Sequence, residues 1–358
     1  MKIIILIGHP AHVHMFKHFA HEMCKRNHNV LFVTLDKEFE IELLRKENLN
    51  YVVLGKKHKG LLRKVFDTLF FVIKTLYIAK QYDPSLFLSH GSLVAAIVSK
   101  ILHRPHIALE DTYNMEQVSI YAPFTDVILT SNYQHPLSNH KRNLSIPIYN
   151  ELLYLHPNKY YLQKESILDK GYILVRFVAW QASHDIGHKG ITYDEKVKLI
   201  AELSKYTKVW ISSESKLPNE LENKRLKISP DMIHDIEANA ALIFSEGSTM
   251  VEEAAMLGVP SIYINNNGTL YTDHLEESYG LCYTYAEDDI VKATNKAISL
   301  LQKDNEELRN EWNAKKRKML YEHIDATESL VWFIENYHNS LQQTRKNQLD
   351  NEFRESFK

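Results

Sequence analysis

The sequence predicts an α/β protein of two domains, each built on a parallel β-sheet covered by helices. Short apolar runs alternate with segments of helical periodicity from the first residue, and the alternation resumes after a break near the middle of the chain. This alternation is typical of repeated βαβ units, whose buried parallel strands are almost wholly apolar. A chain of 358 residues is long enough for two domains with separate cores.

The first domain is predicted to span residues 1–155. Its predicted strands are the runs IIILIG from Ile3, VLFVTL from Val30, YVVLG from Tyr51, LFLSH from Leu86, HIALE from His106 and DVILT from Asp126. From Ser131 to about Lys170, prolines and polar residues interrupt the pattern. Because such residues favour turns and loops, this stretch is predicted to be the linker.

The second domain is predicted to span residues 165–330. Its predicted strands are the runs YILVR from Tyr172, KVWISS from Lys208, LKIS from Leu226, ALIFS from Ala241 and SIYI from Ser261. After about Glu287 the sequence is helical and charged. Residues 331–358 are therefore predicted to form a C-terminal helix and a polar tail that frays.

Composition narrows the class of protein. Lys and Arg number 43 against 45 Asp and Glu, so the net charge of −2 gives no general attraction for nucleic acid, and no nucleic-acid partner is expected. The two cysteines, Cys24 and Cys282, have no metal-ligand spacing and favour a reducing compartment. The opening MKIIILIGHP has too short an apolar run for a signal peptide, which predicts a cytoplasmic protein.

Ligands of parallel α/β sheets bind beyond the carboxyl ends of the strands, so the loops that follow the strands are the candidate site. In the first domain these loops are GHPAHVHMF, SHGSLVAA and EDTYN, and in the second they are RFVAWQASHDIGHKG, SSESK and SEGSTMVEE. Polar and ionisable residues are frequent in both sets. Two domains whose loops face each other would form a cleft for a substrate.

The stretch SEGSTMVEEAAMLGVPSIYI places small residues where a helix begins. The first amides of a helix lack intrahelical partners and its dipole is positive there, so Gly247, Ser248 and Thr249 would form an anion site suited to phosphate. A second interpretation remains open, in which Ser248 or Thr249 only caps the helix while Glu252 and Glu253 favour its dipole.

This stretch resembles the donor-site motif of GT-B-fold proteins, in particular the non-hydrolysing UDP-N-acetylglucosamine 2-epimerases and the N-acetylglucosaminyltransferase of lipid-linked peptidoglycan precursors. The opening IGHPAHVHMFKHFAHEMCKRNHNVLFVT resembles a bacterial and archaeal family of GT-B-like proteins associated with surface polysaccharides. The resemblance covers about residues 1–285. It implies the GT-B fold, in which two Rossmann-like domains face a cleft and C-terminal helices follow.

The resemblance implies a role for each residue of the donor site. Gly247, Ser248 and Thr249 would hold a nucleotide diphosphate, Glu253 the ribose hydroxyls, and the backbone near Met232 and Ile233 the base. Arg176 ends its predicted strand and is a further phosphate ligand, because guanidinium binds oxyanions bidentately.

The resemblance places His12 where acceptor meets donor, as the general base of an inverting transfer. Two alternatives stay open for this histidine-rich segment: a metal site, for which the segment supplies no acidic or cysteine partner, and a structural or capping set. No metal is expected. Glu110 matches a glutamate of the epimerases that binds sugar or acts as acid and base, although a strand-end carboxylate can equally be salt-bridged. Ser92 replaces an acidic residue of the epimerases, which weakens that alternative.

The segment from Lys56 to Tyr77 is basic at its start and rich in aromatic residues. Lys56, Lys57, Lys59, Arg63 and Lys64 precede Phe66, Leu69, Phe70, Phe71, Ile73 and Tyr77. This composition suits an anionic membrane surface. A domain-packing helix with a solvated basic end is the alternative.

These features predict a metal-independent glycosyltransferase that uses a nucleotide-diphosphate sugar, with UDP as the expected carrier. The expected acceptor is a surface polysaccharide, such as lipopolysaccharide or capsule, or a lipid-linked glycan, and the expected place is the inner face of the cytoplasmic membrane. No cofactor is expected besides the donor sugar. The alternatives are a nucleotide-sugar 2-epimerase and a non-catalytic nucleotide-sugar-binding protein.

Overall fold

The computed structural model describes residues 1–36, 39–56, 58, 60–162, 168–178, 190–213, 215–266, 268–337, 339 and 341–342. The chain folds into two compact units. The first comprises Met1–Lys159 together with the described residues from His323 onward, and the second comprises Tyr160–Glu322. The sequence boundaries differ on the C-terminal side, because residues 323–330 had been assigned to the second domain and lie in the first unit.

The first unit contains a seven-stranded parallel sheet with the strand order β3-β2-β1-β4-β5-β6-β7. Its strands are β1 (Lys2–Leu6), β2 (Asn29–Thr34), β3 (Tyr51–Val53), β4 (Leu86–His90), β5 (His106–Leu109), β6 (Val127–Ser131) and β7 (Asn143–Ile146). Its helices are α1 (Pro10–Lys25), α2 (Glu40–Lys46), α3 (Leu61–Tyr82), α4 (Leu93–Ile101), α5 (Met115–Tyr121), α6 (Leu152–Leu155) and α13 (Ala326–Glu335). β5 and β6 are fully buried, and β1 and β4 are buried except for one end residue each, as their apolar sequences predict.

The predicted linker is wrong over part of its length, because β7 and α6 lie within it. β7 pairs with β6 at the edge of the sheet, from Ile128 opposite Asn143 to Ser131 opposite Ile146. The polar residues of β7 explain why the sequence does not predict it. An edge strand exposes part of its surface and needs no continuous apolar run. The four residues of α6 are all buried, although the polar residues beside them resemble a loop.

The second unit contains a five-stranded parallel sheet with the strand order β12-β11-β10-β8-β9. Its strands are β8 (Ile173–Phe177), β9 (Val209–Ser213), β10 (Leu242–Ser245), β11 (Ser261–Ile264) and β12 (Cys282–Tyr285). Its helices are α7 (Tyr193–Leu203), α8 (Ile233–Asn239), α9 (Ser248–Leu257), α10 (Leu270–Tyr279), α11 (Ile290–Leu301) and α12 (Asn305–Glu322). The predicted two-sheet α/β architecture with C-terminal helices is thus confirmed.

Two strand assignments in this unit are corrected. The run LKIS is not a strand, and a single bridge between Ile211 and Arg225 stands beside it. Conversely, β12 was not predicted, because it is an edge strand with three half-buried residues out of four. Edge strands carry mixed apolar and polar residues, so the search for apolar runs does not find them.

The strand order reverses beside the first strand of each sheet, between β1 and β4 in the first unit and between β8 and β10 in the second. Adjacent loops diverge at such a reversal and leave a crevice at the carboxyl edge of the sheet, where ligands of open α/β sheets bind. Ligand binding is therefore expected at the four loops that follow β1, β4, β8 and β10. Among the helices that the structure describes, none is long and apolar enough to cross a membrane.

Candidate functional site

In the second unit, the loop after β10 turns directly into α9 at Gly247. This residue is extended, with φ −107° and ψ 138°, and in the described part of the chain no side chain caps the helix. Ser245 fixes the turn, because its Oγ donates to the Gly247 carbonyl at 2.6 Å and accepts from the Gly247 amide at 3.0 Å. Among the described residues, no side chain caps the first amides of the helix, as an anion site requires.

A side chain at position 247 would have little space. A Cβ atom there would lie 3.3 Å from Val178 Cγ2, so the loop after β8 packs closely against this turn. Ser248 and Thr249 lie inside the first turn of α9 and are not its cap. Ser248 Oγ is 2.7 Å from the hydroxyl of Tyr271, whereas Thr249 is exposed.

Arg176 lies beside this turn. It is paired in register with Ser245 of β10 on one side and with Ser212 of β9 on the other. Its carbonyl accepts the amide of Glu246 at 3.1 Å, and its Nη1 donates to Ser212 Oγ at 2.9 Å. The predicted phosphate ligands Arg176 and Gly247 therefore belong to neighbouring strand ends at the point of strand-order reversal.

Glu246 is a residue that the sequence interpretation missed. It is buried, and its carboxylate accepts the amide of Val178 at 3.0 Å and the amide of Ile191 at 2.7 Å. These amides lie on either side of residues 179–189, which fall outside the described residues, as does most of the predicted loop RFVAWQASHDIGHKG. Glu246 thus joins the two ends of the β8–α7 connection directly next to Gly247. The sequence feature that could have identified Glu246 is an acidic residue between the end of a strand and the glycine at the start of a helix.

Glu253 is buried on the face of α9 that packs against α8. Its Oε1 lies 3.1 Å from His234 Nε2, and its carboxylate interacts with the carboxyl group of Glu237. Burial, followed by the charge of Glu253, raises the pKa of Glu237 well above its usual value. Glu253 therefore lies close to both a histidine and a second carboxyl group, an arrangement that sequence spacing does not reveal.

Met232 and Ile233, the predicted neighbours of the base, stand where a short 3₁₀ turn (Pro230–Met232) leads into α8. Both are half-buried, and the Ile233 side chain packs against the apolar core under the sheet. Contacts from these residues to a ligand would therefore come mainly from their backbone.

In the first unit, His12 lies in the first turn of α1 next to the end of β1. Its Nδ1 is 3.3 Å from the amide of Gly8, a long hydrogen bond, and its ring centroid is 4.8 Å from that of His90 at the end of β4. His12 and His90 therefore meet at the strand-order reversal of this sheet.

The other histidines of the segment have separate roles. The side chain of His9 caps α1 by accepting the amide of Ala11 at 3.2 Å. His14 is buried against Tyr154, and His21 lies 3.4 Å from a carboxylate oxygen of Glu47. Within the described ranges, no three His, Cys, Asp or Glu residues are arranged to hold a metal ion.

His90 forms an ion pair that the sequence interpretation also missed. Its Nε2 lies 2.8 Å from Asp111 Oδ1, and Asn150 donates to the other oxygen of Asp111. Burial, the largest single influence, lowers the pKa of His90, but the charge and hydrogen bond of Asp111 together with the charges of Glu110 and Glu151 outweigh burial and raise that pKa to about 9. Burial likewise raises the pKa of Asp111, whereas His90 brings it below its usual value. The pair is therefore charged at neutral pH.

Glu110 is buried beside Asp111 and has different partners. Its Oε1 accepts from Thr112 Oγ1 at 2.6 Å and from the Tyr113 amide at 3.0 Å, and its Oε2 accepts from the Tyr121 hydroxyl at 2.6 Å. The predicted sugar-binding or acid–base role of Glu110 stays a prediction. Ser92, at the position where the epimerases have an acid, caps α4 by accepting the amide of Ala95 at 3.3 Å.

Helix α3 exposes one apolar face in the predicted membrane-binding segment. Six side chains on this face are between 55% and 70% exposed: Val65, Phe66, Leu69, Phe70, Ile73 and Tyr77. Lys56 and Arg63 are exposed before and at the start of the helix. Lys57, Lys59 and the side chain of Lys64 lie outside the described residues.

Comparison of the sequence with known families and with curated proteins gives no match. Solved structures are similar in fold. MnaA of S. aureus, in a co-structure with UDP, has a TM-score of 0.67 at 13% identity, over 95% of this chain and 97% of that one. The UDP-GlcNAc 2-epimerase of Methanocaldococcus jannaschii has a TM-score of 0.59 at 14% identity, over 85% and 94%. The Streptomyces glycosyltransferase SsfS6 has a TM-score of 0.55 at 13% identity, over 94% and 99%.

These similarities, together with the two parallel sheets, show that the chain has the GT-B fold of glycosyltransferases and UDP-GlcNAc 2-epimerases. The fold implied by the sequence resemblance is confirmed. At identities this low, the similarity shows the fold alone. The reaction depends on the residues that this chain has at its own site.

Proposed function

We propose that the protein is a metal-independent glycosyltransferase that transfers a sugar from a nucleotide-diphosphate sugar, with UDP as the carrier, to an acceptor hydroxyl. The observation that carries the proposal is the turn at Gly247, where an uncapped helix start stands beside Arg176 at the strand-order reversal of a GT-B sheet. A helix dipole and a guanidinium together suit a diphosphate. A UDP co-structure of a protein with the same fold supports the choice of nucleotide.

Glu253 is proposed to bind the ribose hydroxyls. A carboxylate can accept about four hydrogen bonds, and the contact with His234 uses one of these positions. The His234 contact also restricts the orientation of the Glu253 carboxylate. An ionised acceptor held in place binds a vicinal diol at a low entropic cost.

His12 is proposed to be the general base. It takes the proton from the acceptor hydroxyl while the acceptor oxygen bonds to the anomeric carbon, and the bond from that carbon to the diphosphate breaks with its electron pair leaving on UDP. The Gly8 contact favours the ring tautomer with the proton on Nε2. Exchange to the other tautomer, with the proton on Nδ1, costs about 1 kcal/mol. This cost is small compared with the roughly 10²–10⁴-fold increase in rate that a general base contributes.

Nucleotide titrations test the donor site. Glu253→Gln should weaken UDP binding by about 1.5–3 kcal/mol, and the wild type should lose a similar amount with 2′-deoxy-UDP. Because the variant has already lost the partner of that hydroxyl, it should discriminate less between the two ligands. Glu252→Gln, the same change at the neighbouring buried position, is the control for folding. Undiminished discrimination in Glu253→Gln would remove Glu253 from the ribose site.

Product analysis distinguishes the three functions. UDP released from a UDP-sugar only when acceptor is present marks a transferase, a new sugar isomer without acceptor marks a 2-epimerase, and binding without turnover marks a binding protein. The serine at position 92 favours transfer, because its hydroxyl caps α4 where the epimerases carry an acid. His12→Ala should lower transfer by about a hundredfold or more with little change in UDP affinity.

The acceptor is proposed to be a surface polysaccharide or a lipid-linked glycan, reached at the anionic inner face of the cytoplasmic membrane through α3. Exposed Phe66, Phe70 and Tyr77 lie along one face of that helix, and the cations Lys56 and Arg63 accompany them. Apolar side chains that enter the headgroup region and cations that meet anionic lipid both favour binding to such a surface.

Sedimentation with liposomes that contain anionic lipid tests this surface. The double variant Phe66→Ser/Phe70→Ser should lose most of the bound fraction, and Lys56→Glu should weaken binding further at low salt, since each basic residue contributes ~1 kcal/mol. Tyr321→Ser removes an aromatic side chain that is 73% exposed on α12 and serves as the control. Failure of the wild type to sediment at any salt concentration would make α3 an ordinary solvated helix.

A further inference from the structure

The ion pair of His90 and Asp111 is held from both sides. His90 Nε2 and Asp111 Oδ1 are 2.8 Å apart, and their side chains are only 14% and 16% exposed. The second oxygen of Asp111 accepts the amide group of Asn150, which is itself buried. This arrangement fixes the His90 ring at the end of β4, directly beside the turn that contains His12.

The groups that face His90 favour its charged form. Besides Asp111, the carboxylates of Glu110 after β5 and Glu151 at the start of α6 act on it, and together they outweigh the effect of burial. Two histidines at the start of α1 are also near: His12, whose ring centroid lies 4.8 Å from that of His90, and the N-cap residue His9, whose ring centroid lies 6.0 Å from that of His12.

A positive charge this close acts on His12. Two imidazolium rings in contact in a half-buried site repel each other, so protonation of His12 is disfavoured as long as His90 is charged. The amide of Gly8 acts in the same direction, because an N–H directed at Nδ1 favours a ring without a proton on that atom.

We propose that His90 is a positioning residue for proton transfer: as an imidazolium paired with Asp111, it keeps the neighbouring His12 ring neutral at neutral pH and therefore able to accept a proton. The consequence for catalysis rests on the proposed function, in which His12 is the general base. The charge coupling between the two rings does not depend on that function.

The coupling is measurable in the protein without ligands, from the NMR titration of histidine ring signals, with the His12 signal assigned from its loss in His12→Asn. In His90→Gln, the titration midpoint of His12 should rise by about one pH unit or more. Asp111→Asn should lower the titration midpoint of His90. Because His90 then loses its positive charge near neutral pH, the midpoint of His12 should rise. His21→Gln removes a histidine of the same unit next to Glu47 and should leave the His12 midpoint in place.

An unchanged His12 midpoint in His90→Gln, with the other histidine signals at their wild-type positions, would overturn the proposal. In a transfer assay, the acid limb of kcat/KM should shift to higher pH in His90→Gln by the same amount as the His12 midpoint. Coupled titrations in a protein without transferase activity would refute the proposed function and leave the coupling intact. Transferase activity with an unshifted acid limb would refute the role of His90 and leave the proposed function intact.

Discussion

Replacement of Glu246 by leucine should destabilise the second unit by about 3–6 kcal/mol. The carboxylate accepts two backbone amides, from Val178 at 3.0 Å and Ile191 at 2.7 Å, and a hydrogen bond to a charged group contributes about 1.5–3 kcal/mol. Lys196 adds little, because its Nζ lies 3.9 Å from the nearer oxygen. Both amides would lose their acceptor, and the loop ends that they anchor would separate.

Glu246→Gln resolves the two contributions. The glutamine oxygen can still accept one amide, but its NH₂ group then faces the other amide donor to donor, so a loss of about 2–4 kcal/mol is expected. Urea unfolding followed by tryptophan fluorescence measures the free energy, with Trp312, fully buried in the second unit, as a reporter. Hydrogen exchange at Ile191 should accelerate in both variants.

Glu202→Gln is the control, since Glu202 is half-exposed on α7 and pairs with the exposed Lys205, so the change should alter stability by less than about 0.5 kcal/mol. If Glu246→Gln unfolded within 1 kcal/mol of the wild type, or if the exchange of Ile191 stayed slow, Glu246 would not be the residue that closes this loop.

Three further predictions follow from buried polar groups and the helix start. Folding raises the pKa of Glu237, so the folded state keeps a proton that the unfolded state loses, and stability falls as pH rises through the folded pKa. Glu237→Gln should flatten this decline in urea titrations carried out at increasing pH. Burial lowers the pKa of His106 to about 3, so stability falls as pH drops below about 6.5, and His106→Gln should remove that dependence in the same assay. Thr249→Val should weaken UDP more than uridine in calorimetric titration, because the hydroxyl at the start of α9 is proposed to contact only the phosphates.

The parallel sheets were predictable because their strands are buried on both faces. Runs such as those of β1, β4 and β10 are continuous apolar segments, and burial on both faces requires that composition. The edge strands β7 and β12 were not found for the same physical reason. Their solvent-facing positions carry Asn, Ser and Thr, so their pairing depends on the neighbouring strand more than on their own composition.

The candidate site was predictable as a set of loops, and the pairing of side chains within it was not. Asp111 lies 21 positions after His90 in the sequence, yet the two side chains are in contact, because β4 and β5 are neighbours in the sheet. Glu253 and His234 likewise belong to different helices. Sequence spacing locates residues on one element, whereas these pairs depend on which elements are adjacent.

Glu110 and Asp111 show why adjacent carboxylates at one strand end take different roles. All residues of β5 are buried, so apolar alternation gives no indication of which carboxylate points inward. Glu110 is satisfied by three neutral donors, and neutral donors hold a carboxylate in the same way across the neutral pH range. Asp111 is satisfied by a titratable cation instead, so any change in the charge of His90 alters its energy directly. Proton chemistry at this end of the sheet is therefore expected to follow the His90–Asp111 pair, while Glu110 fixes the turn that presents it.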